Sequence, residues 1–291
     1  MRGQMDDAKS YVPPIALGSV MRGETISRVL KSNDVRFKEG ESVLSYTGWT
    51  THSVMKGDAL TKADSTLAPL TTSLGVRGMP GLAAYGGLLE IGTPKPNECV
   101  VVAAASGPVG SMVGQLAKIK GAYAVGIAGG SEKCNFVKKE LGFDACIDHR
   151  APDFPEQLRA ACPRGIDVYF ENVGGAVWDA VLPLLATGAR VTICGIISQY
   201  NGAPENPRAN SDRMLMGQIL TRSLTVKGFI SYEFAYLREK FYADVGSWIA
   251  QGRIRYREDF VEGLAAAPAA FIGLLEGKNF GKVLVRFEKG A

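Results

Sequence analysis

The chain has few of the residues that build metal sites or disulfide frameworks. Of its 291 residues two are histidine, His52 and His149, and five are cysteine. Cys99, Cys134, Cys146, Cys162 and Cys194 are odd in number, far apart and never spaced C-x-x-C, which argues against a disulfide scaffold. Neither histidine sits near a cysteine or carboxylate at metal-ligand spacing, so no metal is expected. Long apolar runs are missing too: none nears the roughly 18 residues of a membrane span. The opening residues, MRGQMDDAKSYVPP, are too polar for a signal peptide. Nor is charge of one sign concentrated anywhere. The formal net charge of +4 is spread out, with no basic run and no basic segment interleaved with aromatics, which argues against nucleic acid or a membrane surface as partner. There are no internal repeats. What remains is the expectation of a soluble, cytoplasmic protein acting on something small.

At 46% hydrophobic the chain can bury one large core or two medium ones, and two domains are expected. The stretch that organises the rest runs from 98 to 130, ECVVVAAASGPVGSMVGQLAKIKGAYAVGIAGG. Residues 99–105 are an apolar, β-branched run suited to a strand buried on both faces of a parallel sheet. A tight turn follows. Residues 109–120 then carry Val109, Met112, Val113, Leu116 and Ile119 at helical spacing, and 122–128 read as a second strand. The turn reads A-x-G-x-x-G with Ala105 first. Gly107 would let backbone approach a pyrophosphate, Gly110 would let helix and strand pack closely, and the helix N-terminus would offer its free N–H groups to the anion. A bare glycine pattern is weak; one placed between a strand and a helix points to a dinucleotide.

The alternation continues. Helices are expected over 82–89, 131–141 (capped by Ser131), 154–161, 177–185 and 234–251, and strands over 145–148, 167–172, 190–195 and 224–230. That pattern predicts an α/β fold: a doubly wound parallel (Rossmann) sheet, its ligand crevice at the strand C-termini. Residues 1–80, with β-type runs at 41–46 and 50–54, suggest part of a second, mostly antiparallel β domain for the substrate. Residues 81–251 form the dinucleotide domain, and 252–291 return to the substrate domain through an Ala-rich helix at 264–275 and a strand at 282–287. The polar stretch 201–212 is either a surface connection or a lid.

An NAD-selective site ends its second strand with an acid that holds the ribose 2′-hydroxyl. Here the strand runs into Gly129, Gly130, Ser131, Glu132 and Lys133. The acid is missing, and Ser131 and Lys133 offer a hydroxyl and a cation to a 2′-phosphate instead, so NADP(H) is the expected cofactor.

Several motifs in order, Gly48-Trp49-Thr50, Gly78 through Leu82 with Tyr85, the AAASGPVGS turn, Glu171 through Gly175, Cys194-Gly195 through Ser198, Tyr200 and Asn201, and Gly277 through Lys282, resemble one family nearly end to end. This is the zinc-free medium-chain dehydrogenase/reductase group that reduces enones, with prostaglandin, alkenal and curcumin reductases. The resemblance implies NADPH-dependent reduction of an α,β-unsaturated ketone or aldehyde and a homodimer. It implies that Gly107, Pro108, Val109 and Gly110 hold the pyrophosphate and Lys133 the 2′-phosphate. Asn172, Cys194, Gly195, Ser198, Tyr200, Phe229 and Asn279 would line the cofactor. Tyr232 would stand near the substrate carbonyl, with Tyr11 as a second pocket tyrosine. His149 replaces a tyrosine that in relatives contacts the adenosine phosphate. Relatives also carry a few dozen residues ahead of the point matching Met1, including the opening strands of the GroES-like substrate domain, which is therefore expected to be incomplete here. A quinone reductase, or an NADPH-binding protein without turnover, are the alternatives.

Overall fold

The computed structural model describes residues 2–5, 12–63, 65–66, 68–201 and 211–287, with the backbone alone at 211–214. A small antiparallel sheet comes first: Thr25–Arg28 (β1) pairs with Ser42–Ser45 (β2), and β2 with Thr61–Lys62 (β3). Only Val43 and Ser45 of β2 are buried, the alternation of a sheet with one covered face. Residues 50–54, expected as a β run, form no strand. Their β-branched composition finds no partner strand, and Val54 is fully exposed.

Met79–Gly86 (α1) starts with Pro80 in its first turn and runs on into a π-helical turn, Gly87–Gly92, three residues beyond the expected end. Gly86 and Gly87 are bare for a reason. A Cβ on Gly86 would enter the Phe234 ring, and one on Gly87 would lie 2.8 Å from Phe229 and 2.9 Å from Phe170.

The central unit follows as Cys99–Ala103 (β4), Pro108–Ile119 (α2) and Tyr123–Ala128 (β5). Next come Ser131–Lys139 (α3), Ala145–Asp148 (β6), Phe154–Ala161 (α4), Ile166–Glu171 (β7), Gly175–Val181 (α5), Leu185–Ile193 (β8), Ser211–Arg222 (α6) and Thr225–Gly228 (β9). All six of these strands are parallel, in the order β6-β5-β4-β7-β8-β9. Every residue of β4 is buried, and its side chains divide by parity. Val100 and Val102 join the core on one face with Met112, Val113 and Leu116 of α2; Val101 and Ala103 join the other with Leu158 and Val181. Each such valine contributes on the order of 1.5–3 kcal/mol by leaving water, which is why this strand sits at the centre.

Arg238–Ala250 (α7), Glu258–Glu262 (β10), Ala267–Leu275 (α8) and Lys282–Arg286 (β11) complete the chain. Four further details differ from the sequence expectation. The helix expected at 234–251 is split: a 3-10 segment, Ser231–Leu237, is kinked at Phe234, whose ring is drawn against Gly86, and only then does α7 begin. The helix expected at 177–185 ends at Val181, passes through a 3-10 turn containing Pro183, and gives way to β8 at Leu185. The β10 and β11 ribbon is parallel, not antiparallel, because α8 crosses over between them. Finally, most of the loop expected at 201–212 lies outside the described residues, but Ser211 already begins α6.

Candidate active site

The strand C-termini of the parallel sheet open into a cleft of about 2380 Å³, walled on its far side by β1, β2, α8 and β11. Drug-sized pockets hold roughly 300–1,000 Å³, so this one has room for a dinucleotide and a substrate together.

At its base lies the turn between β4 and α2. Ala104 takes a left-handed conformation at φ 54°, and the Gly107 amide donates to its carbonyl at 2.9 Å. Ala105, in the first position of the glycine pattern, is fully buried; its methyl is accommodated because Gly126 of β5 has no side chain, a Cβ there falling 2.8 Å from it. Gly110 cannot carry a methyl group either. Its Cβ would lie 2.8 Å from the Ala104 carbonyl carbon and 2.9 Å from Ala105 Cα. Pro108 has no N–H, and the amides of Val109 and Gly110 have no acceptor among the described residues, leaving donors aimed into the cleft at a positive helix end.

A second group stands where β5 and β6 end. Lys133 donates to the Gly277 carbonyl at 2.7 Å. Burial, and then the neighbouring Arg150 guanidinium, hold its ammonium below the usual lysine range. The same two causes, in the same order, hold His149 below its ordinary value of 6.5, with Asp148 opposing. His149 Nε2 and Arg150 Nε each lie 3.0 Å from where a Gly129 Cβ would be. Ser131, expected here, is not brought into the cleft: Gly130 takes the helix N-cap at φ 92°, and Ser131 follows on the exposed side of α3.

Between these groups the cleft is lined by Asn172, Cys194, Gly195, Ser198 and Tyr200. Asn172 Nδ2 ties β7 to the end of β4 through the Ala103 carbonyl at 2.8 Å, and Ser198 Oγ donates to the Val173 carbonyl at 2.6 Å. Glu171, beneath them, accepts from the Val173 amide at 2.6 Å, and burial raises its carboxyl above the usual range. Burial pushes the Cys194 thiol up to about 12. All five cysteines are free; Cys99 Sγ stands 3.7 Å from Cys162 Sγ, and only Cys194 escapes full burial.

Phe229 is mostly core, its ring centroid 5.0 Å from that of Phe234, and shows only an edge to the cleft. Asn279 reaches the cleft with its amide folded back on the Gly281 carbonyl at 2.9 Å. Tyr232, the second residue of the 3-10 segment, is 64% exposed at the rim, and its hydroxyl meets no partner among the described residues. Tyr11 lies outside the described residues. The opposite wall is largely apolar, with Trp49 set edge-on to Phe271 at 6.2 Å and Phe260, Leu274 and Val285 beside them. Glu24 and Lys282 also line the cleft. Glu24 and Arg150 were missed in the sequence because each lies outside any motif, and Lys282 because it closes the motif that starts at Gly277, in which only Asn279 was read as a site residue.

Among the described residues no group of three His, Cys, Asp or Glu side chains could hold a metal ion, and His52 is an exposed residue beside Thr51. The residues present do fit a dinucleotide phosphate: bare glycines, amides at a helix end with no acceptor among the described residues, and a cluster of cations, Lys133, His149 and Arg150, that Asp148, Asp259 and Glu132 offset only in part.

Comparison with known proteins gives the same picture. The zinc-binding dehydrogenase family matches residues 108–251, and the N-terminal domain of oxidoreductase family matches 1–63. The chain is 50% identical to the NADPH-dependent curcumin reductase of Escherichia coli (strain K12), over 98% of this chain and 83% of that protein. It is 42% identical to prostaglandin reductase 1 of Rattus norvegicus, over 92% of this chain and 82% of that protein. The crystal structure of CurA from Vibrio vulnificus in complex with NADPH is similar with a TM-score of 0.94 and 52% identity, covering 99% of this chain and 86% of that one.

Proposed function

This chain belongs to the medium-chain dehydrogenase/reductase family, in its enone-reductase group, and from that premise we propose that it reduces the carbon–carbon double bond of α,β-unsaturated ketones or aldehydes at the expense of NADPH. The observation that carries this reading is one cleft with two unlike ends: an anion-binding turn and cation cluster on the sheet side, an apolar wall around Trp49 and Phe271 on the other. When bound, NADPH supplies the hydride that adds to the β-carbon.

The chain's own residues do the rest. Gly107, Pro108, Val109 and Gly110 hold the diphosphate through the free amides, and Lys133 and His149 receive the 2′-phosphate. Asn172, Cys194, Gly195, Ser198 and Tyr200 form the bed between them, with Phe229 and Asn279 at its margins. Tyr232 is the donor to the carbonyl oxygen as that oxygen becomes anionic, a role supported by its place at the cleft rim with a hydroxyl that has no partner among the described residues. Water entering the open cleft supplies the α-carbon proton. In this division of labour residues 81–251, joined by Gly277 and Asn279, hold the cofactor, while 1–80 and the rest of 252–291 shape the substrate side.

The working unit is a homodimer. That reading is supported by β9, the open edge of the sheet among the described residues, and by the exposed Leu220, Met216 and Tyr236 on the segments that precede and follow it in the chain, a combination that invites a second copy. A cytoplasmic location suits five free thiols. No helix among the described residues is long and apolar enough to cross a membrane.

NADPH oxidation measured against short alkenals, long enones and quinones tests the activity. Faster consumption of quinones would make it a quinone reductase, and NADPH binding with no consumption would leave only a binding protein. Tyr232→Phe should lower turnover roughly ten- to a hundredfold, less than the 10²–10³ of an irreplaceable oxyanion donor because water can substitute. NADPH affinity should hold; unchanged turnover where hydride transfer limits the rate removes Tyr232 from the mechanism.

A further inference from the structure

The carboxylate that an NAD site would place at the end of β5 is missing, but one stands at the end of the next strand. Asp148 closes β6 opposite Ala128, and its Oδ1 accepts two backbone amides, from Gly130 at 2.9 Å and from Arg150 at 2.9 Å. The first belongs to the turn after β5 and the second to the turn after β6. One oxygen therefore ties the two turns that carry the cation cluster. Burial acts to raise this carboxyl, but the two amides, together with the charges of His149 and Arg150, outweigh it and leave it below the usual range.

What the tie holds together is unfavourable by itself. Arg150 and His149 meet over the bare face of Gly129, each with a ring or guanidinium nitrogen 3.0 Å from the position of a Cβ there. Arg150 and Lys133 repel, and so do Arg150 and His149 when the imidazole is charged. Asp148 opposes this only in part, since its oxygen is engaged by amides. Like charges gathered on a glycine and clamped from behind form a receptor for a dianion.

We propose that Arg150 is a further ligand of the cofactor's 2′-phosphate and that Asp148 is the positioning residue that forms this site, by fixing the Gly130 and Arg150 backbones rather than by its charge. The inference rests on the NADPH reading and concerns the discrimination of NADPH from NADH.

The sign of one substitution separates positioning from electrostatics. Asp148→Ala removes a negative charge beside an anion site; by charge alone it should tighten phosphate binding, and by loss of the clamp it should loosen it. Calorimetric titration with adenosine 2′,5′-bisphosphate and with 5′-AMP, which differ only in the 2′-phosphate, reads the effect without turnover or an enone. Arg150→Gln should weaken the bisphosphate about tenfold, the order expected for one charge-assisted hydrogen bond, and leave 5′-AMP unchanged. Asp148→Ala should weaken the bisphosphate to a similar degree, and Asp148→Asn, which keeps an acceptor oxygen, should restore most of the affinity. Equal or tighter bisphosphate binding by Asp148→Ala, or equal losses for both ligands in Arg150→Gln, overturns the proposal. Should Asp148→Ala fail to fold, Arg150→Gln and Asp148→Asn decide: an Asn variant as weak as Arg150→Gln refutes the clamp. Failure to reduce enones with the 2′-phosphate preference intact would count against the catalytic reading and leave this one standing.

Discussion

Gly107 and Gly110 lie three residues apart in one turn, yet a methyl group should do opposite damage at the two. At Gly110 the new Cβ would sit 2.8 Å from the Ala104 carbonyl carbon and 2.9 Å from Ala105 Cα. Carbon atoms rest at about 3.5–4.0 Å, so α2 must retreat from β4 by nearly 1 Å, and the obstacle is backbone that cannot rotate aside. Met112, Val113 and Leu116, each at most 1% exposed, would retreat with the helix. Overpacking costs about 1–3 kcal/mol; a backbone clash belongs at the upper end. With about 2–4 °C per kcal/mol for domains of 150–250 residues, Gly110→Ala should lower the thermal midpoint by roughly 6–12 °C and weaken NADPH binding as well. At Gly107 the only neighbour within 4 Å among the described residues is the Ala104 oxygen at 3.2 Å, and the backbone, φ −81° and ψ 171°, is one alanine adopts freely. Gly→Ala at a compatible position stabilises by about 0.4–1 kcal/mol through the unfolded chain, so the midpoint should hold or rise slightly. NADPH affinity should nonetheless fall, since the methyl occupies the approach to the free amides. Scanning fluorimetry with and without NADPH reads both effects. A Gly110→Ala protein as stable as the parent, or a Gly107→Ala protein that binds NADPH equally well, would refute the reasoning.

Lys133→Ala should raise the Michaelis constant for NADPH about ten- to a hundredfold, from a net loss of roughly 1–3 kcal/mol in charge-assisted bonding, and leave that for NADH nearly unchanged; equal losses would defeat the role. His149 should make stability pH-dependent. Its folded value lies below 6.5, so as pH falls from 6.5 through that lower value the unfolded chain takes up the proton first and stability is lost, while above 6.5 there is no effect. Midpoints measured from pH 8 to 5.5 should show a drop at the acid end that His149→Gln removes and that adenosine 2′,5′-bisphosphate reduces; an identical pH profile in the variant would exclude His149 as its source. Elemental analysis of purified protein should find no bound metal, and stoichiometric zinc lost together with activity on chelation would overturn that.

The parts of the fold legible in the sequence are those whose cause is local. The turn from Ala104 to Gly110 could be placed because a doubly buried strand and an amphipathic helix flank it within a few residues. By contrast β1, the parallel pairing of β10 with β11, and α6 depend on distant partners, and nothing in their own periodicity announces them. Residues 50–54 erred the other way, β-branched by composition but without a neighbour to pair with. In the site, Lys133 could be proposed because β5 runs into Gly129 and Gly130, where an NAD site would end the strand with an acid. Arg150 could not, because its proximity to Gly129 is created by Asp148 joining two turns, a relation between strands that spacing does not record. Ser131 was misplaced for a similar reason: the left-handed Gly130, held by that same aspartate, starts the helix one residue earlier and turns the serine outward.

The placing of the cysteines bears on how such a catalyst survives its own substrates. Enones are electrophiles that alkylate thiolates, and a protein that concentrates them in a cleft exposes its own sulfur to them. Four of the five thiols are sealed in the two cores, including Cys134, whose bond from Cys146 lowers its value but which is only 6% exposed. The fifth, Cys194, faces the cleft, yet with its thiol pushed up to about 12 it is almost wholly protonated at neutral pH. The fold thus keeps four sulfur nucleophiles out of reach and the fifth in its protonated form, an arrangement that would limit self-alkylation without removing cysteine from the sequence.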